Sequence, residues 1–114
     1  MPHCIIEYSK TLEQWIHPKD LIDTVQRETF QSGLFKKEDI KSRCLPFEYY
    51  EINDSSDHFI HIQLKIFSGR TTDQKKALSS RVVSGLATLK LTGTLITCEV
   101  TDIDTASYLK HRLY

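Results

Sequence analysis

The apolar residues run strand, helix, strand, and then strand, helix, strand again, and few folds accept that order in a chain of 114 residues. Pro2 to Tyr8 is short and mostly apolar and reads as a strand. Ser9 to His17 is a connection with some helical character. Pro18 suits the first turn of a helix, where its missing N–H is not needed. Leu21, Ile22, Val25 and Thr29 recur along one face and Gly33 is a natural stop, so a first helix is expected from Pro18 to Ser32. Glu38 to Glu51 is a second strand region, with Pro46 marking a bend or an edge. Asn53 to Asp57 is a turn cluster, and His58 to Phe67 alternates as a half-buried strand does. Thr71 with Gln74 fits a capping box. Leu78, Val82, Leu86 and Leu89 then mark one face of a second helix closed by Gly93, and Leu95 to Ile103 is a last strand. The tail from Ala106 to Tyr114 carries two aromatics that need something to dock on.

Each half is a βαβ unit, with a helix long enough to cross between parallel strands. Two units side by side give an α+β (α/β) fold: a four-stranded sheet with both helices on one face. The other face is expected to carry apolar residues and to need a cover, which points to an oligomer. At 13.2 kDa the whole chain, residues 1–114, is expected to be one domain.

Charge excludes some partners. Lys and Arg total 15 against 15 Asp and Glu, a balance that argues against nucleic acid as a main partner. No apolar run approaches the ~18 residues of a membrane span, and the N-terminus lacks the pattern of a signal peptide. A cytoplasmic protein is the expectation. Cys4, Cys44 and Cys98 are an odd count without close pairs, read as small buried hydrophobes rather than reactive thiols. His58 and His61 fall on opposite faces of a strand, so no metal site is expected.

Pro2 is the residue with chemical potential. If Met1 is removed, Pro2 becomes a secondary amine at the start of a buried strand. Every other backbone nitrogen is an amide without useful basicity. An α-amino group titrates near ~7.7–8.0, and burial and neighbouring cations push that value down toward a working base. The competing reading is a merely permissive second residue.

Three stretches carry a resemblance. Pro2-His3-Cys4-Ile5-Ile6-Glu7-Tyr8-Ser9 resembles the P-H-x-I-(I/V)-E-Y-S opening of the 5-carboxymethyl-2-hydroxymuconate Δ-isomerase family. Gly33-Leu34-Phe35 followed by Ile40-Lys41-Ser42-Arg43 is similar to its G-(I/L)-F…I-R-S-R stretch. His61-Ile62-Gln63-Leu64-Lys65-Ile66, then Gly69-Arg70, is similar to its H-(I/M)-x-L-K-I-x-x-G-R stretch. The resemblance spans most of the first 70 residues. It implies a tautomerase-like fold, a homotrimer, and catalysis by the N-terminal proline without a cofactor.

The same resemblance implies which cations matter. Arg70 matches the family's active-site arginine, whose planar guanidinium can hold a carboxylate bidentately. Lys41 stands where the family pattern has arginine; it keeps the charge and loses the fork. Arg43 retains the family residue and shares the strand face of Lys41. The implied reaction is keto–enol tautomerisation of an unsaturated di- or tricarboxylic acid, with Pro2 as general base and Arg70, Lys41 and Arg43 binding carboxylates. In the resembling family it belongs to bacterial homoprotocatechuate catabolism. Two rivals stand beside it: a different unsaturated acid on the same scaffold, and a non-enzymatic trimer. Phe47, Tyr49 and Tyr50 are candidates to wall a pocket. His3 and His61 are read as structural, because nothing in the sequence places a carboxylate against either ring.

Overall fold

The computed structural model describes the whole chain, Met1–Tyr114. Its elements are β1 (His3–Ser9), α1 (Pro18–Gln31), β2 (Lys41–Phe47), β3 (His58–Phe67), α2 (Thr72–Ala87) and β4 (Thr94–Ile103). Short 3₁₀ turns cover Lys10–Gln14 and Lys37–Asp39. The strands form one sheet in the order β2-β1-β3-β4. β1 pairs with β2 in parallel and β3 with β4 in parallel, as two βαβ units require. The units join along antiparallel β1 and β3, with His3 opposite Lys65 and Tyr8 opposite Ile60.

The helices start where local chemistry tells them to. Pro18 is the first residue of α1, and the His17 ring accepts the Lys19 N–H at 3.0 Å. At α2 the capping box is complete: Gln74 N donates to Thr71 Oγ1 at 3.1 Å, and Thr71 N to Gln74 Oε1 at 2.9 Å. The two helices pack on one face of the sheet. Even-numbered strand residues (Cys4, Ile6, Tyr8, Ile60, Ile62, Leu64, Ile66) meet Leu21 and Val25 of α1 and Leu78, Val82 and Leu86 of α2 in one buried cluster. Burying each such side chain contributes on the order of 1.5–3 kcal/mol.

Two expectations need correction. The second strand is shorter than Glu38 to Glu51: a 3₁₀ turn precedes it, and it ends at Phe47, just after Pro46 on the sheet's outer edge. Gly93 does not close α2, which ends at Ala87 with Thr88 as its cap. Gly93 instead turns the chain into β4 at φ 74, and its carbonyl accepts from Asp57 N at 2.8 Å and His58 N at 3.0 Å. The uncovered sheet face carries apolar residues as expected, mixed with charged ones. The registers place Lys41, His3, Lys65 and Thr101 in one row across it, then Arg43, Ile5, Gln63 and Glu99, then Leu45, Glu7, His61 and Thr97. Apolar residues gather at the far end, where Phe47, Phe59 and Leu95 lie.

Two substitutions test these local causes. Thr71→Ala removes the Oγ1 acceptor of the Gln74 N–H and is expected to lower stability by about 1 kcal/mol. Gly93→Ala places a Cβ in the left-handed region, 3.2 Å from Asp57 Oδ2, and is expected to cost about 1–2 kcal/mol. Urea midpoints at unchanged m-value check both.

Candidate active site

Pro2 is buried at the head of β1, and its carbonyl accepts the Lys41 N–H at 3.0 Å. That bond continues the β1–β2 ladder into the chain terminus. Two amino groups converge there. The terminal amine of Met1 donates to Asp39 O at 3.1 Å, and Lys41 Nζ donates to the same oxygen at 3.0 Å. Burial lowers the pKa of the terminal amine, and the adjacent Lys41 lowers it further by charge and by hydrogen bonding. Lys110 adds a smaller push in the same direction, while Asp39 opposes. The titrating group is the Met1 amine, one residue from the Pro2 nitrogen.

A cavity of about 780 Å³ opens beside this terminus. Met1, Phe35, Asp39, Arg70, Tyr108 and Lys110 are among its lining residues, and Lys36 adds a further cation. Asp39 is its single acidic residue. Arg70 is held by the turn that leaves β3, where Gly69 sits at φ 117, a conformation open to glycine and strained for other residues. Arg70 Nη2 donates to Leu34 O at 2.6 Å, and its guanidinium carbon lies 5.7 Å from the centre of the Phe35 ring. The loop after α1 and the loop after β3 are thereby tied together at the cavity.

Arg70 lines the cavity, while Pro2 and Lys41 lie beside its rim at Met1 and Asp39. Arg43 stands apart from that cavity. Its Nη1 lies 3.1 Å from His3 Nδ1 on the open sheet face. A guanidinium can only donate, so Nδ1 accepts and the Nε2–H of His3 donates to Tyr108 Oη, 2.9 Å away. Burial, followed by the Arg43 charge, lowers the His3 pKa and favours this neutral ring. Both His3 nitrogens are thus engaged within the protein. His61 departs from expectation, because a carboxylate does orient it. Its Nε2 lies 2.6 Å from Glu99 Oε2, and its Nδ1 lies 2.7 Å from Thr97 Oγ1. This group sits mid-sheet and does not line the cavity. Phe47 and Tyr50 pack around Phe59 at the other end of the sheet, so these aromatics and Tyr49 wall no part of it.

Sequence reading missed Lys36, Phe67, Tyr108 and Lys110 as lining residues. The one signal was the aromatic content of the tail, and Tyr108 does dock, against His3 and Phe67. The cysteines are unpaired. Burial raises the pKa of all three, that of Cys98 to about 12, so none is a poised thiolate. No three His, Cys, Asp or Glu side chains converge to hold a metal ion, and no helix is long and apolar enough to cross a membrane.

The profile of a family described as 5-carboxymethyl-2-hydroxymuconate isomerase matches residues 2–111. No curated protein matches the chain in sequence. Among solved structures, a 5-carboxymethyl-2-hydroxymuconate delta-isomerase superposes with a TM-score of 0.82 at 14% identity, over 98% of this chain and 89% of that one. A 5-carboxymethyl-2-hydroxymuconate isomerase from Deinococcus radiodurans R1 gives 0.80 at 22% identity, over 98% and 90%. A fused 4-OT wild-type asymmetric trimer gives 0.68 at 20% identity, over 95% and 91%. At these identities the likeness establishes the tautomerase-like fold.

The His3 arrangement makes a prediction. The folded protein disfavours the imidazolium, so the ring titrates below its ordinary 6.5. The unfolded chain then binds the extra proton first, and stability falls as pH drops from 6.5 through the folded pKa. Arg43→Gln is expected to bring the His3 pKa back toward 6.5 in an NMR titration. An unchanged value would show that the Arg43 charge does not act on the ring.

Proposed function

The chain belongs to the 5-carboxymethyl-2-hydroxymuconate isomerase family, and from that premise we propose that it is a cofactor-free keto–enol tautomerase whose general base is Pro2, freed by removal of Met1. Membership makes it an isomerase; the base, the substrate and the assembly are the parts proposed. The observation that carries the reading is the setting of the chain terminus: buried, beside the Lys41 ammonium, and opening onto a cavity with three lining cations and one acid.

The chemistry follows from that setting. Burial and positive charge disfavour a protonated amine, so this setting favours the neutral form of a freed Pro2 nitrogen. It takes the proton from the 2-hydroxyl of a muconate-type dienol. The electron pair left on oxygen delocalises along the conjugated chain as a dienolate. The prolinium returns the proton to the far carbon, leaving a ketone and a neutral amine. Arg70 and Lys41 face the negative charge of the substrate carboxylates and of the dienolate, where preorganised cations lower the barrier most. Arg43, on the same strand face as Lys41 but bonded to His3 outside the cavity, is the most distant member of the proposed carboxylate-binding set.

That open face also supports a homotrimer. Leu45 is 54% and Leu95 40% exposed on it, and a neighbouring copy would cover both. Three unpaired cysteines fit the reducing cytoplasm. A second reading rests on Lys41. Its ammonium is a point charge already bound to Asp39 O, which suits a related unsaturated acid that does not need a bidentate partner at this position.

Protein shown by intact mass to lack Met1 is expected to ketonise 5-carboxymethyl-2-hydroxymuconate well above the buffer rate. Pro2→Ala should lose about 10²–10⁴ in kcat, the range for a positioned acid–base group. Arg70→Ala should lose roughly tenfold or more in kcat/KM. Activity at the buffer rate would sink this substrate. Full activity with Met1 retained would sink Pro2 as the base.

A further inference from the structure

The cations around the cavity differ in how free they are. The Arg70 guanidinium is bonded to Leu34 O at 2.6 Å, and the Lys41 ammonium to Asp39 O at 3.0 Å. Lys36 and Lys110 line the same cavity and neither makes an ion pair; of the two, Lys110 is the one whose charge acts on the terminal amine. It comes from the tail beyond the last strand, so its position depends on what fastens that tail. A turn at Asp104 is the first fastening: Ala106 N donates to Asp104 Oδ1, and Ser107 N to Asp104 O, each at 3.3 Å. Tyr108 is the second. Its hydroxyl is 2.9 Å from His3 Nε2, and its ring meets Phe67 edge-on with centroids 5.3 Å apart. His3 follows Pro2 directly. The tail is therefore clamped beside the proposed base, two residues before Lys110.

An unpaired ammonium on a cavity that already holds Arg70 and Lys36 is repelled by its neighbours until an anion arrives. With Arg70 and Lys41 positioned for the carboxylate nearest the reacting enol, a cation on the tail has a second one to meet. We propose that Lys110 binds a remote carboxylate of the substrate, and that Tyr108, through His3, is the positioning residue that holds the tail in place to do so. The proposal rests on the reading of the Pro2 site as a tautomerase site for unsaturated acids. It makes the tail a specificity element: acids with two or more carboxylates are selected over monocarboxylates, and Lys110 sets the margin. Its charge also reaches the terminal amine, which it helps to keep unprotonated.

The test compares Met1-free wild type, Lys110→Met and Tyr108→Phe on two substrates. One is 5-carboxymethyl-2-hydroxymuconate; the other is a monocarboxylate enol, enol-phenylpyruvate. Lys110 is exposed, so its substitution leaves the core untouched. Lys110→Met is expected to raise KM for the polycarboxylate about tenfold or more, with kcat within about twofold, and to leave KM for the monocarboxylate unchanged. Tyr108→Phe keeps the ring and should raise the same KM by about two- to tenfold. Equal effects on both substrates, or none on the polycarboxylate, overturn the proposal. If wild type turns over neither substrate, the tautomerase assignment to these acids fails. Calorimetric binding of cis,cis-muconate, which has no enol to ketonise, then decides Lys110 independently. Weaker binding to Lys110→Met supports the role, and equal binding, or none to wild type, overturns it.

Discussion

The hydrogen bond from Lys41 N to Pro2 O, at 3.0 Å, is where the sheet and the site become one object. A strand at a chain terminus frays unless something pairs with it. Here β1 lies between β2 and β3 and is bonded along both sides. Its core-facing residues Cys4, Ile6 and Tyr8 are sealed under the helices. The terminus is thus as fixed as the middle of the sheet, and an amine there can be buried without being lost to disorder. Register does the rest. Because His3 is opposite Lys41, the lysine ammonium arrives at the same carbonyl as the terminal amine.

The electrostatics follow from the same construction. A loop on each side of β1, residues 33–36 and 68–71, contributes to the cavity, and Arg70 ties them by its bond to Leu34 O. The tail adds Tyr108 and Lys110. The chain has no net charge, yet cations outnumber acids around this one opening. A local field of that sign disfavours a protonated amine and attracts carboxylates, the pair of properties that proton transfer on an anionic enol needs.

Much of the fold was legible because its signals are local. Thr71 and Gln74 named the start of α2, Pro18 named the start of α1, and the alternation of His58–Phe67 named β3 to the residue. Pro2, Lys41 and Arg70 were legible as candidates through motif resemblance and adjacency to strand ends. What was missed depends on neighbours distant in sequence. The carboxylate beside His61 is invisible until register sets Thr97 opposite His61 and Glu99 opposite Gln63, which puts all three on one face. The open face was expected to carry apolar residues and does, at Ile5, Leu45 and Leu95, but the charges that share it emerge only when residues are sorted by strand parity. Odd positions collect Lys41, Arg43, Lys65, Glu7 and Glu99 there. Lys110 lies in a segment without periodicity, and only the Tyr108 contact with His3 explains where it ends up.

The central claim is that the amine at the head of β1 is held neutral by burial and by the cations around it. The direct measurement is a ¹⁵N NMR titration of the Pro2 nitrogen in protein lacking Met1, repeated with Lys41→Met. The account predicts a pKa below the ~7.7–8.0 of an ordinary α-amino group, rising when the Lys41 charge is removed. A value at or above 8 in wild type, or one indifferent to Lys41, would contradict it.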